Sequence, residues 1–377
     1  MRTTVCEMDL CTGCKACMDI CPKDALRFED TVHAMNVLID ESRCVNCNAC
    51  HAVCQVRQAA DIDFVKPIYW KQGWAEEEVR RGSSSGGFAS QLMRSFIGEN
   101  SYACSCIFTE GRFGYYITND LDEIERYRGS KYVKSDPQGI YKEVRALLKQ
   151  GMRVLFIGLP CHVAAMNQFL RDRDKETLYT VDMICHGSPS PEILKRFLAE
   201  HNHDIKTVDD IRFRVKNTFG VSVNAESIST VGSLDRYSIG FLNGLFYTDN
   251  CYSCKYARLE RCSDLTIGDS WGTDLAVEAG RGVSLALCQN EKGKDLLLHA
   301  GLELFDVDIE NAVAANHQLK KPSLKTPARE RFFEAYKRTG SVDKAVFASL
   351  PKECMKQGLK GILIRLHIIG GGAVNGR

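Results

Sequence analysis

A repeated run of cysteines near the start of the chain constrains its fold more than any other feature. The run has four cysteines, and its second copy follows at an offset of 33 residues: Cys11, Cys14, Cys17 and Cys21, then Cys44, Cys47, Cys50 and Cys54. An offset preserved over four positions indicates two copies of one small unit. A small domain over residues 1–64 is therefore predicted, built around whatever the repeated thiols bind.

The spacing within each copy is that of ligands to 4Fe–4S clusters in two-cluster bacterial ferredoxins. Three cysteines separated by two residues wrap a loop around one cube, and the fourth, on the following short helix, points to the other cube. One cluster is expected on a first ligand set and the other on a second ligand set: Cys11, Cys14, Cys17 and Cys54, then Cys21, Cys44, Cys47 and Cys50. Structural zinc sites also use Cys-x2-Cys pairs, but three successive gaps of this length suit a cubane better.

Composition excludes several other classes of protein. The chain has 18 cysteines among 377 residues, but the segment Met1–Cys6 lacks the apolar core of a secretory signal. Nowhere do about eighteen apolar residues follow one another, so no transmembrane span is expected. With 49 basic and 48 acidic side chains, no overall charge favours nucleic acid. A cytoplasmic chain that binds metal or performs redox chemistry is therefore expected.

Beyond the repeat, helix and strand patterns alternate along the chain. Strands are predicted over 102–108, 153–157, 178–184 and 283–288, with helices over 84–99, 136–150, 163–171, 191–200 and 328–348. This alternation predicts an α/β fold with a mixed sheet over residues 65–320, joined to the small α+β cluster domain. Residues 321–377 are predicted as a C-terminal helical segment, whose amphipathic end from Leu359 packs on the core or touches a partner.

Several cysteines outside the repeat lie at positions suited to metal. Cys161 and Cys185 follow predicted strands, and Cys251 and Cys254 form a two-residue-gap knuckle. Because the carboxyl ends of strands line the ligand crevice of an α/β sheet, these loops can meet at one edge. Four thiolates are enough for a third 4Fe–4S cluster, with Cys262 as the rival fourth ligand. The alternative is that scattered cysteines serve as small buried apolar residues.

Two polar loops precede predicted helices. The Gly/Ser loop, Gly82–Gly87, can present backbone N–H groups at a helix N-terminus to a phosphate or a flavin pyrophosphate. A flexible turn with a helix cap is the alternative interpretation. In the second loop, the Gly129 loop (residues 129–135), Lys131 can pair with a phosphate or a flavin carbonyl.

Six short motifs between residues 65 and 290 occur in order: Gly82–Gly87, Gly129–Val133, Gly158–His162, Cys185–Pro191, Cys251–Cys254 and Asp264–Gly272. Together they resemble the coenzyme F420 hydrogenase/dehydrogenase beta-subunit family, which also includes flavin-dependent reductases of the chlorophyll pathway. The N-terminal cluster unit is similar to the fused form of bacterial members. The resemblance implies that the larger domain is a flavin domain.

The resemblance also implies which residues hold cofactors. A flavin, usually FAD in this family rather than FMN, is implied on two loops and one turn: Gly82, Ser83, Ser84, Ser85, Gly86 and Gly87, then Ser130, Lys131 and Tyr132, then Gly158 and Pro160. A third 4Fe–4S cluster is implied on the dispersed cysteines, defined as Cys161, Cys185, Cys251 and Cys254.

The leading hypothesis is a flavin-dependent iron–sulfur oxidoreductase. A chain with both cofactors can join two-electron flavin chemistry to one-electron cluster chemistry, between a ferredoxin-like carrier or partner redox subunit and a small-molecule substrate, either organic or a deazaflavin coenzyme. His162, His186 and Asp269 are the candidate proton donors because they lie in the same loops. The alternative roles are hydrogen bonds to cluster sulfur for the histidines and a turn cap for Asp269.

Two rival functions come from other classes. A non-catalytic electron-transfer subunit of a larger hydrogenase or dehydrogenase complex would have clusters and no substrate pocket. A nucleic-acid-binding protein would use the cysteine knuckles, but it would need basic patches with interleaved aromatic residues that this chain lacks.

Overall fold

In the computed structural model, which describes residues 3–170 and 174–370, the cysteine repeat forms a small unit of its own. Two short helices and an antiparallel hairpin make up this unit: Ala16–Ile20 (α1), Leu26–Asp30 (β1), Met35–Ile39 (β2) and Ala49–Ala52 (α2). Each helix begins after a residue in the left-handed conformation, Lys15 at φ 56° and Asn48 at φ 57°. The two copies therefore share one backbone path, as the repeat predicts.

An eight-stranded mixed sheet lies at the centre of the larger part of the chain. In spatial order its strands are Glu303–Phe305 (β13), Tyr69–Trp74 (β3), Ser284–Cys288 (β12), Leu265–Asp269 (β11), Leu178–Met183 (β7), Arg153–Gly158 (β6), Ser101–Thr109 (β4) and Arg112–Thr118 (β5). Strands β4, β6, β7 and β11 run parallel, and the outer strands are antiparallel to their neighbours. The loops that follow β6, β7 and β11 therefore meet at one edge of the sheet.

Helices surround this sheet and complete the fold: Glu77–Gly82 (α3), Phe88–Phe96 (α4), Ile140–Lys149 (α5), Pro160–Phe169 (α6), Pro191–Glu200 (α7), Arg236–Leu242 (α8), Ala276–Ala279 (α9), Glu291–Leu298 (α10), Ile309–Ala315 (α11), Pro327–Thr339 (α12), Val342–Ser349 (α13) and Pro351–Arg365 (α14). None of the helices in the described residues is long and apolar enough to cross a bilayer.

Strand β6 shows how the sheet divides the core. Leu155 and Ile157 pack with α4 on one face, whereas Val154 and Phe156 pack with α5 and α6 on the other, because alternate residues of a strand face opposite sides. Cys11 belongs to this second core, together with the other members of the first ligand set. The cluster unit therefore packs directly against one face of the larger domain.

A second, smaller sheet and the C-terminal helices share one core. The sheet is antiparallel, with strands Ile211–Val215 (β8), Thr218–Val223 (β9) and Glu226–Ser227 (β10). Phe213 of β8 packs in the same cluster as Phe332 of α12 and Val346 of α13. Helix α14 buries Cys354 and leaves Leu359 exposed, so one face of the tail helix packs on the core. A separate C-terminal domain from residue 321 stays a prediction.

The α/β class with a mixed sheet is confirmed, but the bounds of several predicted helices differ, and a glycine explains two of these differences. The helix predicted over 84–99 begins only at Phe88, because Gly87 is left-handed at φ 90° and the serines before it follow an irregular path. The helix predicted over 328–348 is two helices separated at Gly340, where φ is 62°. A left-handed glycine ends a helix by allowing its last carbonyls to be capped.

Candidate redox site

The two ligand loops of the cluster unit repeat the same backbone contacts with sulfur. The Gly13 N–H donates to Cys11 Sγ at 3.4 Å, and the Asn46 N–H donates to Cys44 Sγ at 3.4 Å. Gly13 and Asn46 are both left-handed, at φ 71° and 53°. N–H donors aimed at sulfur favour the thiolate, which is the form that ligates iron.

The two ligand sets differ in exposure. All members of the first set are buried, whereas Cys47 of the second set is exposed and its other members are half-buried. The structure also places Cys6, which lies outside the repeat, beside the first set. A hydrogen bond from the Cys6 thiol lowers the pKa of Cys54 to about 6. Sequence spacing gives no signal for this contact, because Cys6 comes close to Cys54 only through the fold.

A cavity of about 180 Å³ contains all four dispersed cysteines in its lining. Cys161 lies in the first turn of α6, and Cys185 lies two residues after β7. Cys251 lies in a 3-10 turn that ends just before Cys254. Burial and the neighbouring sulfurs of Cys251 and Cys254 raise the pKa of Cys185 to about 12.

Four cysteines are the number of ligands that a 4Fe–4S cubane needs. Cys251 is buried, and the other three are half-buried. Among the described residues, no three Cys, His, Asp or Glu side chains lie close enough together to hold a single metal ion. Cys262 does not line this cavity and lies instead on a separate cavity of about 460 Å³.

Lys134 reaches the cysteine cavity from the Gly129 loop. Lys134 is only 4% exposed, and its ammonium lies 4.0 Å from Cys251 Sγ. Burial alone would lower the pKa of Lys134, but the sulfurs of Cys251 and Cys161 outweigh it and raise that pKa. The cavity therefore contains a protonated amine beside the thiols. Sequence reasoning considered the neighbouring Lys131 and missed this residue.

The cluster unit contributes directly to the same cavity. Thr12 and Gln55, each next to a member of the first ligand set, are among the lining residues. The Gln55 amide donates to Thr12 Oγ1 at 2.8 Å and accepts a hydrogen bond from the Tyr256 hydroxyl. The buried ligand set and the dispersed cysteines are therefore separated by a small number of packed side chains.

Ion pairs and hydrogen bonds outside the cavity hold the cluster unit in place. Lys15 forms an ion pair with Asp136 at 2.6 Å, and the Gly139 N–H donates to Asp19 at 2.8 Å. The Arg329 guanidinium, which is 3% exposed, donates to the carbonyl of His33 in the hairpin turn. Two of these contacts hold the α1 region of the unit, and the contact from α12 holds its hairpin turn. The unit is therefore restrained at separate points.

The Gly/Ser loop lies against the edge of the sheet that carries the cysteine loops. The Gly86 N–H donates to Ser284 Oγ at 3.0 Å, and its carbonyl accepts from the Ala75 N–H at 2.8 Å. A Cβ on Gly86 would lie 2.5 Å from the Gly73 carbonyl oxygen. Glycine is therefore needed here so that the loop backbone can approach β3 and β12.

Replacing Gly86 with alanine is expected to destabilise the fold by about 1–3 kcal/mol, the usual range for a side chain forced into packed backbone. Denaturant unfolding compared with the wild type measures this. Gly98→Ala is the matched control, because nothing lies within 4 Å of a Cβ at Gly98. Equal stability of the two variants would contradict this close approach.

The two predicted flavin loops contact each other. The Ser130 N–H donates to Ser84 Oγ at 2.9 Å. The Lys131 ammonium donates to the carbonyls of Tyr127 and Arg128 at 2.7 and 2.8 Å, and burial lowers the pKa of Lys131 to about 8. Lys131 is thus bonded to its own loop.

Arg214 of β8 joins the Gly/Ser loop, the Gly129 loop and β11. Its guanidinium makes two hydrogen bonds with the Asp269 carboxylate, at 2.7 and 2.9 Å. It also donates to the Ser84 carbonyl at 2.8 Å and to the Tyr132 hydroxyl at 3.2 Å. The side chain of Arg214 is 3% exposed and that of Asp269 is 21% exposed. Sequence reasoning missed Arg214, since the strand pattern does not distinguish it from exposed Arg212.

The three candidate proton donors lie in different environments. His162 is fully buried, with Nδ1 3.0 Å from the Tyr115 hydroxyl, and burial lowers its pKa to about 3. His186 is exposed and lines the cysteine cavity, with Nδ1 2.6 Å from the Gln318 amide nitrogen. Asp269 is bound by Arg214. The catalytic roles of all three stay predictions.

The two remaining residues of the predicted flavin set lie by the cysteine cavity. Pro160 lines it, and Gly158 ends β6 just before. A Cβ at Gly158 would lie 2.8 Å from the Tyr115 hydroxyl. The structure therefore brings the Gly/Ser loop together with Ser130 and Tyr132, whereas Gly158 and Pro160 belong to the turn that carries Cys161.

Comparisons with known proteins match the two parts of the chain separately. Residues 10–57 match the family described as 4Fe-4S dicluster domain, and residues 151–304 match the family described as the C terminus of the coenzyme F420 hydrogenase/dehydrogenase beta subunit. The first match confirms the predicted iron–sulfur domain. The second range contains all four dispersed cysteines.

Among solved structures, the chain is similar to a chain of the F420-reducing NiFe hydrogenase complex from Methanosarcina barkeri. The identity is 16%, the similarity covers 70% of this chain and 97% of that chain, and the TM-score is 0.48. No curated protein matches the chain.

Proposed function

This chain carries a 4Fe–4S dicluster domain and the C-terminal domain of the coenzyme F420 hydrogenase/dehydrogenase beta-subunit family, and we propose on this basis that it is an iron–sulfur flavoprotein oxidoreductase. In this proposal it transfers electrons between a ferredoxin-like carrier and an organic substrate or deazaflavin coenzyme. The clusters supply one-electron transfer, and the flavin supplies two-electron chemistry.

The cavity of the dispersed cysteines is the observation that carries this proposal. Cys161, Cys185, Cys251 and Cys254 come from three separate segments, and all of them line one space of about 180 Å³. Cys185 is proposed as the fourth ligand in preference to Cys262, which lies on a different cavity. Four cysteines gathered from distant segments beside a dicluster domain favour a third cluster over scattered apolar packing.

The exposure of the cysteines supports an order for the redox centres. The second ligand set reaches the surface at Cys47, so an external carrier would meet the chain there. The first ligand set is buried and lies beside the cavity through Thr12 and Gln55. Electron transfer through a protein requires centres that lie close together, and the packing of Thr12 and Gln55 at this cavity supports the proposed order.

The loops around Arg214 support a flavin beside the third cluster. The Arg214 guanidinium donates to the Ser84 carbonyl and to the Tyr132 hydroxyl, both of the implied flavin set. Ser130 of the same set donates its N–H to Ser84 Oγ. These loops follow the same edge of the sheet as Cys161 and Cys185. The chain's own residues there would bind and orient the flavin, and His186 is the candidate that reaches open space for proton transfer.

Anaerobic purification with iron, sulfide and flavin measured per chain tests the proposal. We expect about twelve iron atoms, which is three 4Fe–4S clusters, and about one flavin. Chromatography of the released flavin distinguishes FAD from FMN. About eight iron atoms with no flavin would contradict the proposal and leave a two-cluster electron carrier.

A non-catalytic electron-transfer subunit is the second candidate. Asp269 is held in an ion pair with Arg214, and His162 is buried. His186 is therefore the exposed member of the three candidate proton donors, and this scarcity of accessible donors favours a non-catalytic subunit. Reduction or oxidation of a small-molecule donor by the isolated chain would decide against it. Activity that appears only with a partner subunit would decide for it.

A further inference from the structure

Lys134 is a buried charged group that the proposed function leaves without a role. It is 4% exposed and lines the cavity of the dispersed cysteines. Its ammonium lies 4.0 Å from Cys251 Sγ, and its aliphatic chain passes beside Gly13 in the first ligand loop. The side chain therefore lies between two groups of cysteines that are proposed to hold separate clusters.

A buried ammonium needs a negative partner, because burying an unpaired charge is costly. The other two cations on this cavity are accounted for. Arg261 has Asp182 as an ion-pair partner at 3.7 Å, and Lys255 is exposed to solvent. Within residues 3–170 and 174–370, no carboxylate forms an ion pair with Lys134, and its charged neighbours are cysteines. The cysteines therefore supply the negative charge, as thiolates or through an anionic group that they hold.

We propose that Lys134 is the buried counter-charge of the cluster held by the dispersed cysteines and that it raises the reduction potential of this cluster. The inference rests on the proposed function, since it requires the third cluster. A cubane held by four thiolates is anionic, and one electron added to it increases its negative charge. An ammonium near its sulfur stabilises the reduced form more than the oxidised form, which raises the potential.

The same geometry predicts a graded effect on the three clusters. Lys134 lies 4.0 Å from Cys251 Sγ, so the third cluster should respond most. The cluster on the first ligand set should respond in the same direction, because Cys11 is also among the charged neighbours of Lys134. The second ligand set is half-buried and reaches the surface at Cys47, where solvent and salt screen charges. Its cluster serves as an internal reference.

The test compares Lys134→Met, Lys134→Gln and Lys134→Arg with the wild type by redox titration followed by electron paramagnetic resonance. Methionine and glutamine remove the charge, and arginine keeps it. For the two neutral variants we expect at least a tenfold fall in the ratio of reduced to oxidised third cluster at a fixed potential, which is a shift of about 59 mV for one electron. Lys134→Arg is expected to stay near the wild type. Iron content is measured on every sample.

Lys195→Met is the matched control, because Lys195 is an exposed residue that forms an ion pair with Glu192 on the surface of α7. Loss of the third cluster in both neutral variants, with retention in Lys134→Arg, would also support the counter-charge. The inference is overturned if a neutral variant keeps about twelve iron atoms at the wild-type potential, or if Lys134→Arg changes as much as Lys134→Met. A wild-type chain with about eight iron atoms would instead overturn the proposed function, so the two failures are distinguishable.

Discussion

Replacing Cys161 with alanine is expected to lower the iron content of the anaerobically purified chain from about twelve to about eight atoms, the equivalent of one 4Fe–4S cluster. Cys161 lies in the first turn of α6 and shares its cavity with the other dispersed cysteines. In the described part of the chain, the lining of this cavity has no fifth cysteine that could replace the lost ligand. Iron and sulfide analysis, with electron paramagnetic resonance of the reduced protein, measures the loss.

Two cysteine variants serve as controls for this experiment. Cys262→Ala is expected to keep about twelve iron atoms, because Cys262 lies on a separate cavity. Cys288→Ala removes a fully buried thiol from the core of β12 and should also keep its iron. Iron loss in Cys262→Ala with none in Cys161→Ala would contradict the assigned ligands.

Replacing Arg214 with leucine is expected to destabilise the fold by about 3 kcal/mol, the lower end of the range for breaking a buried ion pair. The lower end applies because Asp269 is 21% exposed and water can partly solvate it. The substitution also removes the hydrogen bonds to the Ser84 carbonyl and the Tyr132 hydroxyl. Flavin content should therefore fall together with stability. Denaturant unfolding and flavin analysis of the purified protein measure the two effects.

Arg212→Leu is the matched control on the same strand. The Arg212 side chain is 57% exposed and pairs with Asp210 at the surface, so its loss should cost no more than about 1 kcal/mol. The double variant Arg214→Leu with Asp269→Leu should recover part of the lost stability, since no unpaired charge is left buried. A single Arg214 variant as stable as the Arg212 variant would show that the ion pair contributes little.

The predicted elements of the larger domain were correct where the chain had strong periodicity and wrong where a single glycine decided the backbone. Helix α7 has the predicted bounds, because Ser190 caps it and Pro191 begins it. The helix expected over 328–348 is broken at Gly340, whose left-handed conformation no apolar pattern reveals. Strands β5 and β13 are among the strands that were not predicted. They lie at the two outer edges of the sheet, where pairing depends on a neighbouring strand.

The candidate site also has some parts that the sequence predicted and others that only the tertiary structure decided. Sequence alone determined the iron–sulfur repeat, because ligands two or three residues apart in one loop are positioned by local backbone geometry. It also indicated the segments that carry the dispersed cysteines. Tertiary structure decided that Cys185 and not Cys262 shares their cavity, because Cys185 follows the carboxyl end of β7, whereas Cys262 precedes the parallel strand β11 at its opposite end. It also placed Lys134 beside the thiols and Arg214 beside Asp269, since the burial of a charge depends on which distant segments pack around it.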